Sequence, residues 1–252
     1  MDDIGWLQEH DEPWSDVVNK WQATFIWRIN EMQEQRDAAS LNTFLNKWPA
    51  LNVCRSFELI DLDFKTMFPD IEETSPDKFK EMKEKLLPIF NLDIKDKFNK
   101  GLLGKLSASN NEDSQICIMS MLINALIIPN REPGNKKPSI SAAQQEMIVR
   151  LPSSRDLEAF RNETTGTDIK IIVIGETLTD LTDFYVNCGA ILFKTPSMSK
   201  ALDIGIKLSI MFTIGYSRKC KFAWELLEAY YFGSLSTRTF DPKVQNVLNK
   251  LS

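Results

Sequence analysis

Asp61 and Asp63 are the first residues in this chain whose types and spacing suggest chemistry. The run Phe57-Glu58-Leu59-Ile60-Asp61-Leu62-Asp63-Phe64 partly alternates apolar and acidic residues, which predicts a short strand. Residues two apart on a strand face the same way, and paired carboxylates can hold Mg²⁺ or share a proton. Lys65 would follow on that face, with Glu58 and Asp70 nearby, and a metal-dependent phosphoryl hydrolase is the activity such a cluster would serve. The plainer reading is a solvated strand face whose opposite side (Ile60, Leu62, Phe64) is buried. That reading is the expected one, because nothing else in the chain points to metal chemistry.

Nucleophilic chemistry has even less to work with. A thiolate nucleophile needs a base, and the one imidazole, His10, sits in an acidic arm. Cys54, Cys117, Cys188 and Cys220 are far apart and form no C-x-x-C pair. Three of them lie in apolar or periodic runs, so reduced cysteines in a core are expected. Gly101-Leu102-Leu103-Gly104-Lys105 lacks the P-loop spacing and the Ser/Thr after Lys. Ile174-Gly175-Glu176-Thr177 offers a single glycine, far from a dinucleotide fingerprint. No catalytic residue, cofactor site or metal ligand is assigned, and the chain is expected not to be an enzyme.

Nucleic acid is not the expected partner either. The formal charge of the 252 residues is −5, and phosphate affinity is mostly counterion release by Lys and Arg. The densest basic cluster of the C-terminal half, Arg218-Lys219-Cys220-Lys221, reads as a solvated helix end. An RNA-recognition sheet needs aromatic stacking residues on a central strand, and Ile171 to Ile174 has none. Charge is uneven along the chain: residues 1–40 hold nine acids against three bases, and residues 198–252 hold eight bases against four acids. The two ends can attract each other, within a chain or between chains.

The informative excess is aromatic. Trp6, Trp14, Trp21 and Trp27 all fall in the first 27 residues, and Trp is enriched where partners bind. Trp14, Val17, Val18, Trp21, Phe25 and Met32 follow helical spacing, so Trp14 and Trp21 divide between core and interface. Trp6 and Trp27 lie off that stripe and are expected to bind a partner or a second protomer. Phe222, Trp224, Tyr230 and Tyr231 make a second candidate surface, with Leu227 and Phe232 in the core.

The elements that position these residues follow from periodicity and punctuation. One helix is expected from Trp14 to about Arg36, opened by Pro13. A second from Leu41 is stopped by Pro49, and the strand at 57–64 follows. Helices are expected at Asp77 to Phe90, bent or ended by Pro88, at Leu92 to Leu106, and at 114–128 after a cap at Ser109 to Asp113. The apolar run Ile116 to Ile128 is shorter than the roughly 20 residues a bilayer requires, so it is read as a core helix and no membrane is expected. Residues 129–138 form a Pro-rich linker. Beyond it come a strand at Glu146 to Leu151, a short helix at Arg155 to Arg161, and a buried strand at Ile169 to Ile174. A hairpin then turns at Cys188-Gly189, with Gly189 taking positive φ. Helices 198–214 and 218–232 are capped by Ser197 and Ser217, and a last short helix surrounds Val244. The C-terminal order is β-α-β-β-β-α-α, an α+β class with a helical N-terminal half packed with a small sheet. The expected organisation is an acidic arm and amphipathic helix (1–40), a mainly helical region (41–130) and an α+β region (139–235) in one compact unit. The acidic start has no apolar core, so no signal peptide is read there.

Several segments together resemble a largely uncharacterised animal family, whose members include sterile alpha motif domain-containing-like proteins and transposon-linked insect proteins. They are Phe44-Leu45-Asn46-Lys47-Trp48-Pro49, Phe57 to Phe64, Lys137-Pro138-Ser139, Ile171-Ile172-Val173-Ile174-Gly175, and Asp183 to Asn187 running into Ala201 to Lys207. Their order and rough spacing match over about residues 40–232. The resemblance implies the helical-then-α/β architecture and no known active site. Such chains usually carry a DNA-binding or sterile alpha motif module ahead of this region, and none fits into residues 1–40. The expectation is a non-enzymatic interaction or oligomerisation module, a nuclear or cytoplasmic adaptor in chromatin or transposon-related regulation, with a homodimer as one form. The alternative is a nucleic-acid-binding protein derived from a transposon-linked gene.

Overall fold

The computed structural model describes residues 2–34, 38–71, 76–128, 137–163, 168–233 and 239–251. Helices dominate. The elements run α1 (Asp3–Leu7), α2 (Trp14–Ala23), α3 (Phe25–Gln33), α4 (Ala38–Asn46), a 3-10 turn (Pro49–Asn52), α5 (Ser56–Met67), α6 (Pro76–Asp93), α7 (Lys97–Ala108), α8 (Glu112–Leu126) and α9 (Ile140–Met147). They continue with β1 (Ile148–Leu151), α10 (Asp156–Glu163), β2 (Lys170–Ile174), β3 (Asp183–Cys188), β4 (Ile191–Thr195), α11 (Met198–Met211), α12 (Lys221–Phe232) and α13 (Pro242–Leu251). The strands form a small mixed sheet in the order β1-β2-β3-β4. The α+β class and the C-terminal order of elements are as the sequence predicts.

Two expectations fail at the level of elements. The single helix from Trp14 is two, broken at Thr24 (φ −96°, ψ 6°). The Thr24 hydroxyl donates to the Lys20 carbonyl at 2.8 Å, a back-bond that bends helices. The strand at 57–64 is the middle of α5. Ser56, Leu59, Ile60, Asp63 and Phe64 are its buried positions, spaced three and four apart as a helix face requires. The adjacent apolar pair Leu59-Ile60 is what breaks the strand alternation. Smaller differences also occur. Pro88, expected to bend or end its helix, lies inside α6, which runs on to Asp93. Helix α9 was not foreseen, and α12 begins at Lys221, with Cys220 rather than Ser217 at its N-cap. The expected linker at 129–138 lies outside the described residues for 129–136.

The chain groups into two compact units. Unit 1 is Met1–Ile71, Ser153–Ile172 and Asp183–Gly215; unit 2 is Glu72–Pro152, Val173–Thr182 and Tyr216–Ser252. In unit 1, α5 packs against α11 and β4, and α11 lies on the β3–β4 hairpin. Phe64, Val186, Phe193, Ala201 and Leu208 are buried here. The hairpin pairs Phe184 with Thr195 through to Cys188 with Ile191. Gly189 takes φ +57° at the turn, as expected, and a Cβ there would meet Asn42 Oδ1 at 2.1 Å. That oxygen accepts the Ala190 amide at 2.8 Å, so α4 holds the hairpin tip. In unit 2, α8 is the hub for α6, α7, α9 and α12. Its residues Ile116 to Ser120 are all buried, which is why this run is apolar on every side. No described helix is long and apolar enough to cross a membrane.

Candidate interaction surface

Helix α3 has two faces. Arg28, Ile29 and Met32 point into unit 1. Ile26 and Trp27 point out, 69% and 42% exposed, and they are two of the four large apolar side chains standing in solvent among the described residues. Trp27 is not loose. Its ring meets Trp48 edge-on at 6.1 Å, and the fully buried Trp48 also takes the edges of Trp21 at 5.6 Å and Phe44 at 6.1 Å. Edge-to-face contacts of this kind fix a ring's direction. Trp27 is therefore held in place at its root with its outer part in water.

Beneath it lies a buried ion pair. Arg28 Nη1 and Nη2 donate to Asp63 Oδ2 and Oδ1 at 2.6 and 2.9 Å, Nη2 also donates to the Trp21 carbonyl at 2.6 Å, and Nε donates to Thr24 Oγ1 at 3.3 Å. The guanidinium stacks on Trp21, 3.6 Å from the ring centroid. Burial raises the Asp63 carboxyl above its ordinary value, while Arg28 pulls the other way. A fork with this many partners is where arginine outperforms lysine. It ties α3 to α5 and so sets where Trp27 emerges.

The two acids do not act as a pair: Asp63 is engaged by Arg28 and Asp61 by lysines of α11. On α5, residues two apart diverge by about 200°, so Asp61 points away from Asp63. Asp61 meets Lys200 Nζ and Lys207 Nζ at 2.6 Å each, and Asp203 meets the same two ammonium groups at 3.0 and 2.7 Å. The result is a closed ring of two carboxylates and two lysines. Burial works to lower the Lys200 pKa, but Asp203 and Asp61 outweigh it and hold it above the ordinary value. Among the described residues there is no group of three or more His, Cys, Asp and Glu that could hold a metal ion.

The expected partner-binding rings divide. Trp6 is half-buried, stacked on His10 at 4.7 Å, with Lys20 Nζ 5.3 Å from its ring. Trp14 is half-buried and donates its indole N–H to Glu58 at 3.0 Å. The Arg55 hydrogen bond holds Glu58 below the ordinary carboxylate value, with the Trp14 donor adding to it. Phe222, Trp224 and Tyr231, expected at a partner surface, are core residues of unit 2: Trp224 stacks on Tyr216 at 5.2 Å, and Tyr231 meets Phe79 at 4.4 Å. Their helix α12 is buried on most of its circumference, so a ring-rich helix there is a central one. Tyr230 is half-buried at a cavity of about 350 Å³ with Lys78, Glu81, Lys85 and Leu248. The basic cluster at 218–221 is largely occupied, with Lys219 on Glu146 at 3.1 Å and Lys221 on Glu225 at 3.4 Å.

The sequence reading missed Leu92 and Phe98, which are 69% and 62% exposed. The available signal was the placement of Phe98 between Lys97 and Lys100 at a helix start. Comparison with protein-family models, curated proteins and solved structures found no match.

Proposed function

We propose that this protein is a non-enzymatic interaction module that self-associates through Ile26 and Trp27. The observation that carries the reading is the exposed apolar pair on α3, held by the Trp48 cluster on one side and unpartnered on the other. Full burial of such side chains contributes roughly 1.5–3 kcal/mol each before association costs. Among the residues flanking the pair in sequence, the exposed Gln22, Ala23, Asn30 and Gln33 carry no charge, Glu31 is paired with Lys47, and the exposed Glu34 is charged. A two-fold contact lays the same patch against its copy, residue i on residue j and residue j on residue i, so a mostly uncharged patch suits a second copy. The adaptor role in nuclear chromatin or transposon-related regulation rests on the segment resemblance alone.

The test is a mass measurement by light scattering at high salt on the wild type, Ile26→Asp and Trp27→Ala, paired with thermal melts. The expected result is a wild-type mass above one chain and single-chain masses for both variants. Ile26→Asp should cost little stability, about 0.5 kcal/mol or less. A single-chain wild type, or variants that melt far lower while keeping the wild-type mass, would overturn the reading.

A further inference from the structure

The other two exposed apolar side chains stand on unit 2, Leu92 in the last turn of α6 and Phe98 in the first turn of α7. Lysines crowd this corner. Lys95, Lys97 and Lys100 are all exposed. Lys95 donates to the Leu92 carbonyl. Lys97 and Lys100 make no ion pair or side-chain hydrogen bond among the described residues. The acids at the corner are already engaged: Asp93 meets Lys250 at 3.4 Å, and Asp96 caps α7 by accepting the Asn99 amide at 2.9 Å. In a chain of net charge −5, this corner exposes apolar side chains beside lysines.

The complementary combination stands on unit 1. Between α1 and α2, Glu9, Asp11 and Glu12 make no ion pair or side-chain hydrogen bond among the described residues, and they follow the half-buried Ile4 and Trp6. We infer that the Leu92–Phe98 corner of one chain receives the Trp6–Glu12 segment of a second copy, with the lysines on the acids and the apolar side chains together. The inference rests on the self-association reading but uses surfaces separate from Ile26 and Trp27. A nucleic-acid backbone would satisfy the lysines but leave Leu92 and Phe98 in water, so a protein segment that supplies both acids and rings fits better. The contact joins unlike surfaces, so it closes into a ring or extends into a chain of protomers. It is also salt-sensitive, because ion pairs between solvent-exposed side chains weaken as salt screens them.

Sedimentation velocity on the full chain tests this, comparing the wild type at low and high salt with Lys97→Glu/Lys100→Glu, with Glu9→Lys/Glu12→Lys, and with an equimolar mixture of the two variants. All four positions are exposed or lack side-chain partners, so the fold tolerates the changes. The wild type should be larger at low salt than at high salt. Each variant alone should lose that increase, since its two surfaces now carry like charge. The mixture should regain it, since the basic segment of one variant faces the acidic corner of the other. The inference is overturned if the wild type has one mass at both salts, if either variant alone keeps the increase, if the mixture fails to regain it, or if nuclease treatment removes it. Failure of the Ile26–Trp27 contact reads differently, as a single-chain mass at high salt with the low-salt increase intact.

Discussion

Arg28 shows how much a single side chain can decide in this protein. Its guanidinium makes hydrogen bonds to Asp63, Trp21 and Thr24, and removing one member of a buried pair strands the other's charge. Arg28→Met should therefore cost about 3–5 kcal/mol, while the double change Arg28→Met/Asp63→Leu costs less than either single change. Denaturant unfolding of the three variants checks this, and equal costs for the single and double changes would deny the pair its role. The thiols make a second prediction at this scale. Burial pushes the Cys117 and Cys188 pKa up to about 12, and Cys220 is also buried, whereas Cys54 is exposed. An Ellman titration of native protein should count one reactive thiol, rising to four in denaturant. The sequence placed Trp27 off the apolar stripe, and that was legible because periodicity alone decides it. The Arg28–Asp63 pair was not legible, since 35 positions separate its members and a charged residue on a helix gives no sign that a cation waits for it. Trp224 and Tyr231 misled for a related reason: a ring-rich helix has the same letters whether it lies on the surface or at the centre.

At the scale of elements, α5 is the instructive case. Its acids at 61 and 63 imitate strand alternation, and only the doublet Leu59-Ile60 with Phe64 four residues on betrays a helix. Asp63 occupies a core position because Arg28 neutralises it, so local patterning and tertiary structure disagree at that residue. The hairpin was easier to read, since Cys188-Gly189 between two apolar runs is a local signal. Its tether to α4 was not local. Gly189→Ala places a side chain at φ +57° and against Asn42 Oδ1, and the backbone term alone is worth roughly 1–2 kcal/mol. Asn42→Ala removes the bond to the Ala190 amide, worth about 1 kcal/mol. The two changes should be less than additive, because Gly189→Ala already displaces the Asn42 side chain. A double-mutant cycle checks this, and strict additivity would uncouple the tip from α4.

At the scale of the molecule, the described surface holds two unpartnered apolar pairs of different character. The exposed residues around Ile26 and Trp27 are mostly uncharged; those around Leu92 and Phe98 include lysines. Burial of apolar surface gains little from salt screening and loses nothing to it, whereas ion pairs weaken as salt rises. Salt therefore separates the two contacts. The α+β class and most element positions came from composition, punctuation and periodicity. Trp27 was legible from its place off the stripe, whereas Leu92 and Phe98 were not, because exposure depends on what each unit has already packed.

Sedimentation velocity of wild type and Ile26→Asp at high salt, over a wide range of protein concentration, tests the central claim most directly. The account predicts a wild-type mass that climbs with concentration to two chains, and an Ile26→Asp mass that stays at one. A wild type that remains a single chain at every concentration, or a variant that pairs as readily as the wild type, would contradict it.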